Sequence, residues 1–392
     1  MKKTVIIGAR RTAIGSFQGV LSSQSATELG AKVIKDLLEV TKIDPSFVDE
    51  VIMGNVISAG LGQAPARQAA IFGGLPEKTE CLTINKMCGS GLKSVMLANQ
   101  AIMCGDADVV IAGGMESMSN APYLVPNARN GFRLGNGTIY DSLIKDGLWD
   151  VYNNIHMGSC AEVCAKDFAM TRKDVDEFAI NSYKNAIAAI ETGKFKDEIT
   201  PVNMPQKKGT VTIDTDEEPG KVNFDKISEL RPAFEKDGIV TAANASKLND
   251  GASALLIMSE EKALGLGLTP LFEIVAQASA AKAPVYFTTA PADAITKVIK
   301  KANLQLSDID LFEINEAFAV VSVAVNRILG LDTSKVNVNG GAIALGHPIG
   351  ASGARILTTL VYEMMRRNAK IGLASLCIGG GEASALIIKK YE

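Results

Sequence analysis

The chain has 392 residues, which is too long for one ordinary hydrophobic core, so we expect two or three domains. Apolar residues make up 47% and charged residues 21%, a balance typical of a soluble globular protein with a large buried surface. The net charge of -3 gives no electrostatic basis for binding nucleic acid. Six cysteines at irregular spacing do not form the pattern of a disulfide-stapled secreted protein.

The N-terminal segment carries Lys2 and Lys3, followed by only a short apolar run from Thr4 to Gly8 before Arg10. That pattern predicts a first β-strand and not a secretion signal. No apolar run approaches the roughly 20 residues that cross a membrane. We therefore expect a cytoplasmic protein that binds neither nucleic acid nor membranes.

The first third of the chain alternates short apolar runs with segments of helical periodicity. The apolar runs predict strands at 4–8, 51–56, 81–85 and 109–114. The helical segments lie at 26–40, 64–72 and about 90–104. This alternation predicts a layered α/β fold with a largely parallel sheet.

The composition changes after residue 117. Residues 119–155 are rich in Asn, Gly, Tyr and Arg and show no clean period, so they predict an excursion from the core. Helical spacing returns from Thr171 to Thr192, with Thr171 as the expected N-cap. Residues 200–240 mix both charge signs and predict a surface lobe, and 251–258 predicts a buried strand or helix.

The second half of the chain repeats patterns of the first half. The matching segments are 45–55 with 307–315, 89–92 with 350–357, and 109–114 with 371–381. A weak duplication with one long insertion predicts two similar halves packed pseudo-symmetrically. We expect the active residues to converge where the halves meet.

The segment from Asn85 to Gly91 joins a predicted strand to a predicted helix and contains Cys88. Gly89 and Gly91 allow a tight turn that a residue with a Cβ would resist. Cys88 would then lie at a helix N-terminus, where free N–H groups and the helix dipole favour the thiolate. A cysteine beside glycines is otherwise often a small core residue, so a nucleophile here also requires a base.

Three further residues lie in glycine-rich turns or at predicted strand ends. His347, in the glycine-rich loop 339–350, is a candidate general base. Cys377 ends an apolar strand before three glycines, and Asn315 follows another strand. Taken alone, these two also fit an inert buried thiol and a helix N-cap. Together with Cys88, these residues lie in four separate loops at strand ends, which is the edge where open α/β sheets bind ligands.

Two other kinds of site compete with this interpretation. His156, Cys160 and Cys164 are spaced for one helix face and could in principle ligate zinc, but no fourth ligand at suitable spacing is evident. The glycines at 8 and 113–114 lack the downstream acid of a dinucleotide fingerprint. We expect neither a metal site nor a nicotinamide cofactor.

Four motifs together resemble those of the thiolases, and within that family the acetyl-CoA acetyltransferases, over essentially the whole chain. The motifs are Asn85 to Gly91, Asn315-Glu316-Ala317-Phe318, Asn339 to Gly353 with Gly-His-Pro-Ile-Gly, and Cys377 to Gly381. The resemblance implies duplicated α/β/α layered halves with an inserted loop domain, assembled as a homotetramer of paired dimers. The implied domains are an N-terminal half (1–118 with 249–270), a loop domain for coenzyme A binding and tetramer contacts (119–248), and a C-terminal half (271–392).

The resemblance also implies a role for each of nine residues. Cys88 would be the nucleophile that becomes S-acetylated, His347 would activate it, and Cys377 would remove the α-proton of the second acetyl-CoA. Asn315 would hold a water that forms one oxyanion hole with His347. The N–H groups of Cys88 and Gly379 would form the other oxyanion hole. The residues implied along the pantetheine arm are His156, Ser246, Ala317 and Phe318.

This set implies the reversible Claisen condensation of two acetyl-CoA to acetoacetyl-CoA and CoA, in a ping-pong reaction through S-acetyl-cysteine. Coenzyme A would be substrate and product, with no tightly bound cofactor. Acyl transfer needs a nucleophile that is also a good leaving group, and condensation needs a second base because the first cysteine is acylated.

Three alternatives stay open: a 3-ketoacyl-CoA thiolase of broader chain length, a ketoacyl synthase, and a non-catalytic acyl-CoA-binding relative. A synthase typically pairs its cysteine with two histidines or with His and Asn, and a non-catalytic relative should have lost a reactive residue. Segment 283–291 departs from the Met-Gly-x-Gly-Pro of many bacterial members, so chain-length preference is open. Phe287 and the run Thr241 to Ala245 resemble potassium-activated short-chain members, which implies C4 preference and activation by K⁺.

Overall fold

The structure is a computed structural model that describes residues 2–206 and 209–392. Residues 207 and 208 of the predicted surface lobe lie outside the described residues. Within the described part of the chain, no helix combines the length and apolarity that crossing a bilayer would require.

Helices and strands alternate in the N-terminal part of the chain, as the periodicity predicts. The elements are β1 (Thr4–Thr12), β2 (Gly15–Ser16), α1 (Ala26–Thr41), β3 (Glu50–Gly54), α2 (Pro65–Phe72), β4 (Glu80–Ile84), α3 (Ser90–Cys104) and β5 (Val109–Ser117). Ser25 begins α1 with a capping box that includes Glu28, which satisfies N–H groups left free at a helix start.

A long segment of mostly short elements separates β5 from the next long strand. Its elements are β6 (Tyr123–Leu124), β7 (Tyr140–Asp141), β8 (Trp149–Asp150), β9 (Ile155–His156), α4 (Met157–Asp167), α5 (Arg172–Glu191), β10 (Ile199–Thr200), β11 (Val202–Gln206) and β12 (Gly209–Ile213). Thr171 caps α5 in a capping box with Asp174, as predicted.

The remaining elements complete the fold, and the segment predicted as a strand or helix at 251–258 is a strand. They are β13 (Asn249–Ser259), α6 (Glu260–Gly265), β14 (Phe272–Ala281), α7 (Ala290–Ala302), β15 (Leu311–Ile314), α8 (Ala319–Leu329), α9 (Ala342–Leu345), α10 (Ser352–Arg367), β16 (Ile371–Ile378) and β17 (Glu382–Lys390).

The long strands form one mixed sheet in the order β15-β16-β17-β14-β1-β13-β5-β3-β4. From the centre outwards, β1-β13-β5-β3 and β14-β17-β16-β15 each make two antiparallel pairs and then a parallel pair. The two halves join through the short antiparallel pairing of β1 with β14. This repetition confirms the predicted duplication.

The prediction of a largely parallel sheet is wrong. The strands at its centre pair antiparallel, because β13 returns from the long insertion and β17 follows β16 through a short glycine turn. The turn between β16 and β17 is too short for the crossover that parallel neighbours require, and the insertion, although it contains α4 and α5, brings β13 back antiparallel to β5. Parallel pairs occur where a helix does connect the strands, as between β3 and β4.

Helices lie outside and between the two halves of the sheet. α1 and α2 pack on the outer face of the N-terminal half, and α7 and α8 pack on the outer face of the C-terminal half. α3 and α10 share one core with strands of both halves. Neighbouring residues in β1, Val5 and Ile6, point into different cores, as the two-residue strand period requires. The expected α/β/α layering is confirmed.

Two glycines bring the starts of α3 and α10 together. A Cβ on Gly91 would lie 2.7 Å from the Ala354 nitrogen, and a Cβ on Gly353 would clash with Leu92. The close approach that these glycines permit places the residues before each helix at one junction. Those residues include Cys88 before α3 and His347 before α10.

Candidate active site

The turn that presents Cys88 differs from the sequence-based expectation. The residue with a left-handed backbone is Met87, with φ of 50°, whereas Gly89 has an ordinary φ of -79°. Gly89 is needed for space, because a Cβ there would clash with Ile378 of β16. Ser90 holds the turn, since its Oγ accepts the Lys86 N–H at 2.8 Å and donates to the Met87 carbonyl at 2.6 Å.

Burial and the helix start act in opposite directions on the charge of the Cys88 sulfur. Burial raises the pKa of the Cys88 thiol to about 11, although the Gly379 and Cys88 N–H groups act in the opposite direction. The cost of desolvating a thiolate exceeds what those N–H groups return. Cys88 is therefore a thiol at neutral pH, and a base must remove its proton.

Hydrogen bonds orient His347 with one ring nitrogen free. The Ser352 hydroxyl donates to the Pro348 carbonyl at 2.9 Å, so the His347 Nδ1–H donates to Ser352 Oγ, which is 2.6 Å away. This network assigns the proton to Nδ1 and leaves Nε2 as the acceptor. The Nε2 atom is buried and has no hydrogen-bond partner among the described residues.

The backbone and charge of His347 are also fixed by its neighbours. Its N–H donates to Asn249 Oδ1 at 2.9 Å, and Gly346 before it has a φ of 112° that favours glycine. Burial, assisted by the positive charge of Arg355, lowers the pKa of His347 to about 3. The imidazole is neutral at neutral pH and can accept a proton.

Cys377 and Gly379 reach the same place from the hairpin between β16 and β17. The N–H groups of Gly379 and of Cys88 both point at the Cys88 sulfur. Cys377 is only 1% exposed, and its pKa is raised well above its usual value by burial and by the neighbouring Cys88. Both thiols are therefore protonated in the resting site.

Asn315 lies just beyond β15 with its amide nitrogen free. The Asn315 side chain is fully buried, and its Oδ1 accepts from Arg355 Nη2 at 3.4 Å. The Nδ2 group has no hydrogen-bond partner among the described residues. A buried donor of this kind costs free energy unless a water or ligand accepts from it.

A cavity of about 580 Å³ contains most of the predicted site residues. Seven of the nine line it: Cys88, His347, Gly379, His156, Ser246, Ala317 and Phe318. Asn315 and Cys377 are not among the lining residues and are buried. The volume is in the usual range for a small-molecule site.

Aromatic rings form one wall of the cavity. His156 stacks on Phe234 with ring centroids 4.8 Å apart, and Phe234 meets Phe318 edge to face at 6.2 Å. Phe318 in turn meets Phe287 at 6.2 Å. The His156 Nδ1 accepts the Gly158 N–H at 3.0 Å, so its Nε2–H can donate into the cavity.

Several residues that support the site were not predicted from the sequence. They are Ser352 and Asn249 beside His347, Phe234 beside His156, and Glu116 and Lys247 between loops. Glu116 accepts the N–H groups of Val56, Ile57 and Gly350, and so ties the end of β3 to the loop that carries His347. Only Ser352 could have been found from the sequence, because it lies five residues after His347 in the same motif. No sequence pattern marked Phe234.

The zinc alternative is not supported. His156 precedes α4, and Cys160 and Cys164 are buried in cores formed by that helix. The described residues contain no group of three or more His, Cys, Asp or Glu side chains that could hold a metal ion.

Comparisons with known proteins identify the family of the chain. The chain matches the thiolase N-terminal domain at residues 4–261 and the thiolase C-terminal domain at 268–390. An acetyl-CoA acetyltransferase of Pseudomonas aeruginosa is 55% identical over 392 residues, covering 100% of both chains. Acetyl-CoA acetyltransferase 1 of Arabidopsis thaliana is 52% identical over 387 residues, covering 98% of this chain and 93% of the relative.

Solved structures show the same similarity. An Ascaris suum Acat5 thiolase in complex with coenzyme A is 43% identical, with a TM-score of 0.94 and 100% coverage of both chains. A Bacillus anthracis acetyl-CoA acetyltransferase is 42% identical, with a TM-score of 0.97, covering 100% of this chain and 99% of the other. Motifs, fold and site geometry point to the same conclusion: this chain belongs to the thiolase family.

Proposed function

We propose that this thiolase is an acetyl-CoA acetyltransferase that joins two acetyl-CoA reversibly into acetoacetyl-CoA and CoA. The observation that carries the proposal is the proximity of two thiols and a neutral imidazole: Cys88 and His347 line one cavity, and Cys377 lies near enough to Cys88 for Cys88 to raise its pKa. Relatives at about 55% identity carry the same activity in their names. The broader-chain thiolase, the ketoacyl synthase and the non-catalytic relative are not favoured.

In the first half-reaction the acetyl group moves to Cys88. His347 Nε2 takes the Cys88 proton as the sulfur attacks the thioester carbonyl. The N–H groups of Cys88 and Gly379 stabilise the oxyanion of the tetrahedral intermediate. Cys377 gives its proton to the departing CoA sulfur. The site then holds S-acetyl-Cys88, protonated His347 and the Cys377 thiolate.

In the second half-reaction a carbon–carbon bond forms. The Cys377 thiolate takes the α-proton of the second acetyl-CoA, and protonated His347, with a water held by Asn315 Nδ2, stabilises the enolate oxygen. The enolate carbon attacks the acetyl carbonyl on Cys88. The Cys88 sulfur leaves and recovers its proton from His347, so the three groups end in their starting states.

The cavity wall leads to a prediction about chain length. Phe287, which is only 2% exposed, backs Phe318 at the cavity. We expect thiolysis of the C4 substrate acetoacetyl-CoA to exceed that of 3-ketoacyl-CoAs of C6 or longer, because a longer chain needs space that these rings fill. Steady-state kcat/KM for a C4, C6 and C8 series tests this, and equal values for C4 and C8 would contradict it.

Potassium activation, which the resemblance implies, stays a prediction. The same thiolysis assay, run in KCl and in NaCl at equal ionic strength, tests it. Faster turnover in KCl is the expected result, and identical rates in the two salts would refute it.

We also propose that residues 119–248 form the loop domain that binds coenzyme A and helps to build a tetramer in the cytoplasm. Large apolar side chains there are exposed, including Tyr123 at 67%, Phe132 at 52% and Leu134 at 102%. Exposed apolar groups in one segment are typical of an association surface. β4, which lies at the end of the sheet, offers a free strand edge to a second copy.

Light scattering at micromolar concentration is expected to give a tetramer for the full chain. Deleting the loop tip, residues 128–137, is expected to leave a stable dimer, because the deletion does not include β4, whose edge we propose as the dimer contact. A monomeric full-length chain would refute the assembly proposal.

A further inference from the structure

Lys247 is a partly buried lysine at the cavity that the proposed reaction does not use. Its ammonium contacts three oxygens from separate parts of the fold. They are the Tyr183 hydroxyl of α5, the Ile343 carbonyl of α9 at 2.9 Å, and, at a longer 3.5 Å, the Ala245 carbonyl. An ammonium has three N–H donors, so these contacts can engage all of them.

The segment around Lys247 also contacts the motif of Asn315, whose Nδ2 donor is free, and the motif of His347, whose Nε2 acceptor is free. The Ser246 N–H donates to the Ala317 carbonyl at 3.0 Å, two residues after Asn315. Asn249 Oδ1 accepts the His347 N–H at 2.9 Å. Ile343 lies four residues before His347. Lys247 therefore stands where the cavity wall, the Asn315 segment and the His347 loop meet.

The charges around Lys247 fit a positioning role and not an acid–base role. Desolvation lowers the pKa of Lys247 to about 8, while Glu218 and Glu316 favour its charged form. Burial, with the same two carboxylates, raises the pKa of Tyr183, so its hydroxyl is neutral and accepts from the ammonium. With its N–H groups directed at protein oxygens, the amine is not free to take a proton or to bind a CoA phosphate.

We propose that the Lys247 ammonium is a built-in cation that positions the pantetheine wall against the His347 loop. The proposal rests on the proposed acetyltransferase function. The Ile343 and Ala245 carbonyl oxygens can only accept hydrogen bonds, and the Lys247 ammonium supplies donors to both without recruiting an ion from solution. Because the ammonium occupies this oxygen cluster, any potassium activation of the wild-type protein would have to act elsewhere.

The test compares Lys247→Ala with Lys247→Met in acetoacetyl-CoA thiolysis. Alanine leaves space for a small cation, whereas methionine fills the space without a charge. We expect kcat/KM to fall about tenfold or more in both variants, with a lower kcat as well as a higher KM. Ammonium, methylammonium or potassium salts should restore part of the loss in Lys247→Ala and none in Lys247→Met, relative to tetramethylammonium chloride at equal ionic strength.

The matched control is Lys184→Ala, which removes an exposed lysine next to Tyr183 and should keep wild-type kinetics. Thermal melting of each variant distinguishes loss of folding from misplacement of the cavity wall. If a cation acted by refolding the variant, it would raise the melting temperature together with the rate. The proposal is overturned if Lys247→Met keeps kcat/KM within twofold of the wild type, or if no small cation restores folded Lys247→Ala. A wild-type protein without thiolysis would instead overturn the proposed function.

Discussion

Cys377→Ala is expected to lower acetoacetyl-CoA thiolysis by about three orders of magnitude or more, while acetyl exchange between CoA molecules remains measurable. Exchange requires only the first half-reaction, in which Cys377 merely assists a good leaving group. Formation or cleavage of the carbon–carbon bond requires a base at the α-carbon, and we assign that role to Cys377, which lies near Cys88. Steady-state thiolysis and isotope exchange between acetyl-CoA and labelled CoA measure the two separately.

Cys160→Ala is the matched control, because it removes another buried thiol at the same core. It should leave both activities close to wild type. Loss of exchange and thiolysis to the same extent in folded Cys377→Ala would show that Cys377 is needed for acylation itself.

His347→Ala is expected to slow both half-reactions, by about two to four orders of magnitude. Burial raises the pKa of the Cys88 thiol and lowers the pKa of His347, so the resting pair is neutral and no thiolate is available in advance. Proton transfer from sulfur to Nε2 must accompany attack, and alanine cannot accept that proton. Rapid-quench measurement of acetylation by acetyl-CoA gives the first half-reaction directly.

Ser352→Ala keeps the His347 imidazole but removes the hydrogen bond that orients it, so it measures the contribution of orientation alone. Its hydroxyl receives the Nδ1–H, so removing it should lower acetylation about tenfold by releasing the ring from one tautomer. Acetylation by His347→Ala at a rate near that of the wild type would contradict the assignment of His347 as the base.

The sequence predicted the layers of the fold because hydrophobic periodicity is local. It did not predict the pairing directions, since whether β13 lies parallel or antiparallel to β5 depends on where a long insertion returns. Cys88 was placed correctly at a turn before α3, but for a partly wrong reason. Met87 carries the unusual backbone, and the glycines serve the contact between α3 and α10 that no local pattern encodes.

The electrostatics of the site could not be predicted from local sequence either. A helix start favours a thiolate, yet residues of both halves of the chain pack around Cys88, and this burial favours the neutral thiol. Phe234 and Lys247 belong to a segment without clear periodicity, so their positions depend on tertiary contacts. The roles assigned to the nine site residues stay predictions until variants are measured.

The most direct test of the central claim is the intact mass of the protein after reaction with isotopically labelled acetyl-CoA. We expect one labelled acetyl group on the wild type and on Cys377→Ala, located on the peptide that contains Cys88, and none on Cys88→Ala. Acetyl on Cys88→Ala, with none on Cys377→Ala, would reverse the roles of the two cysteines and contradict the account.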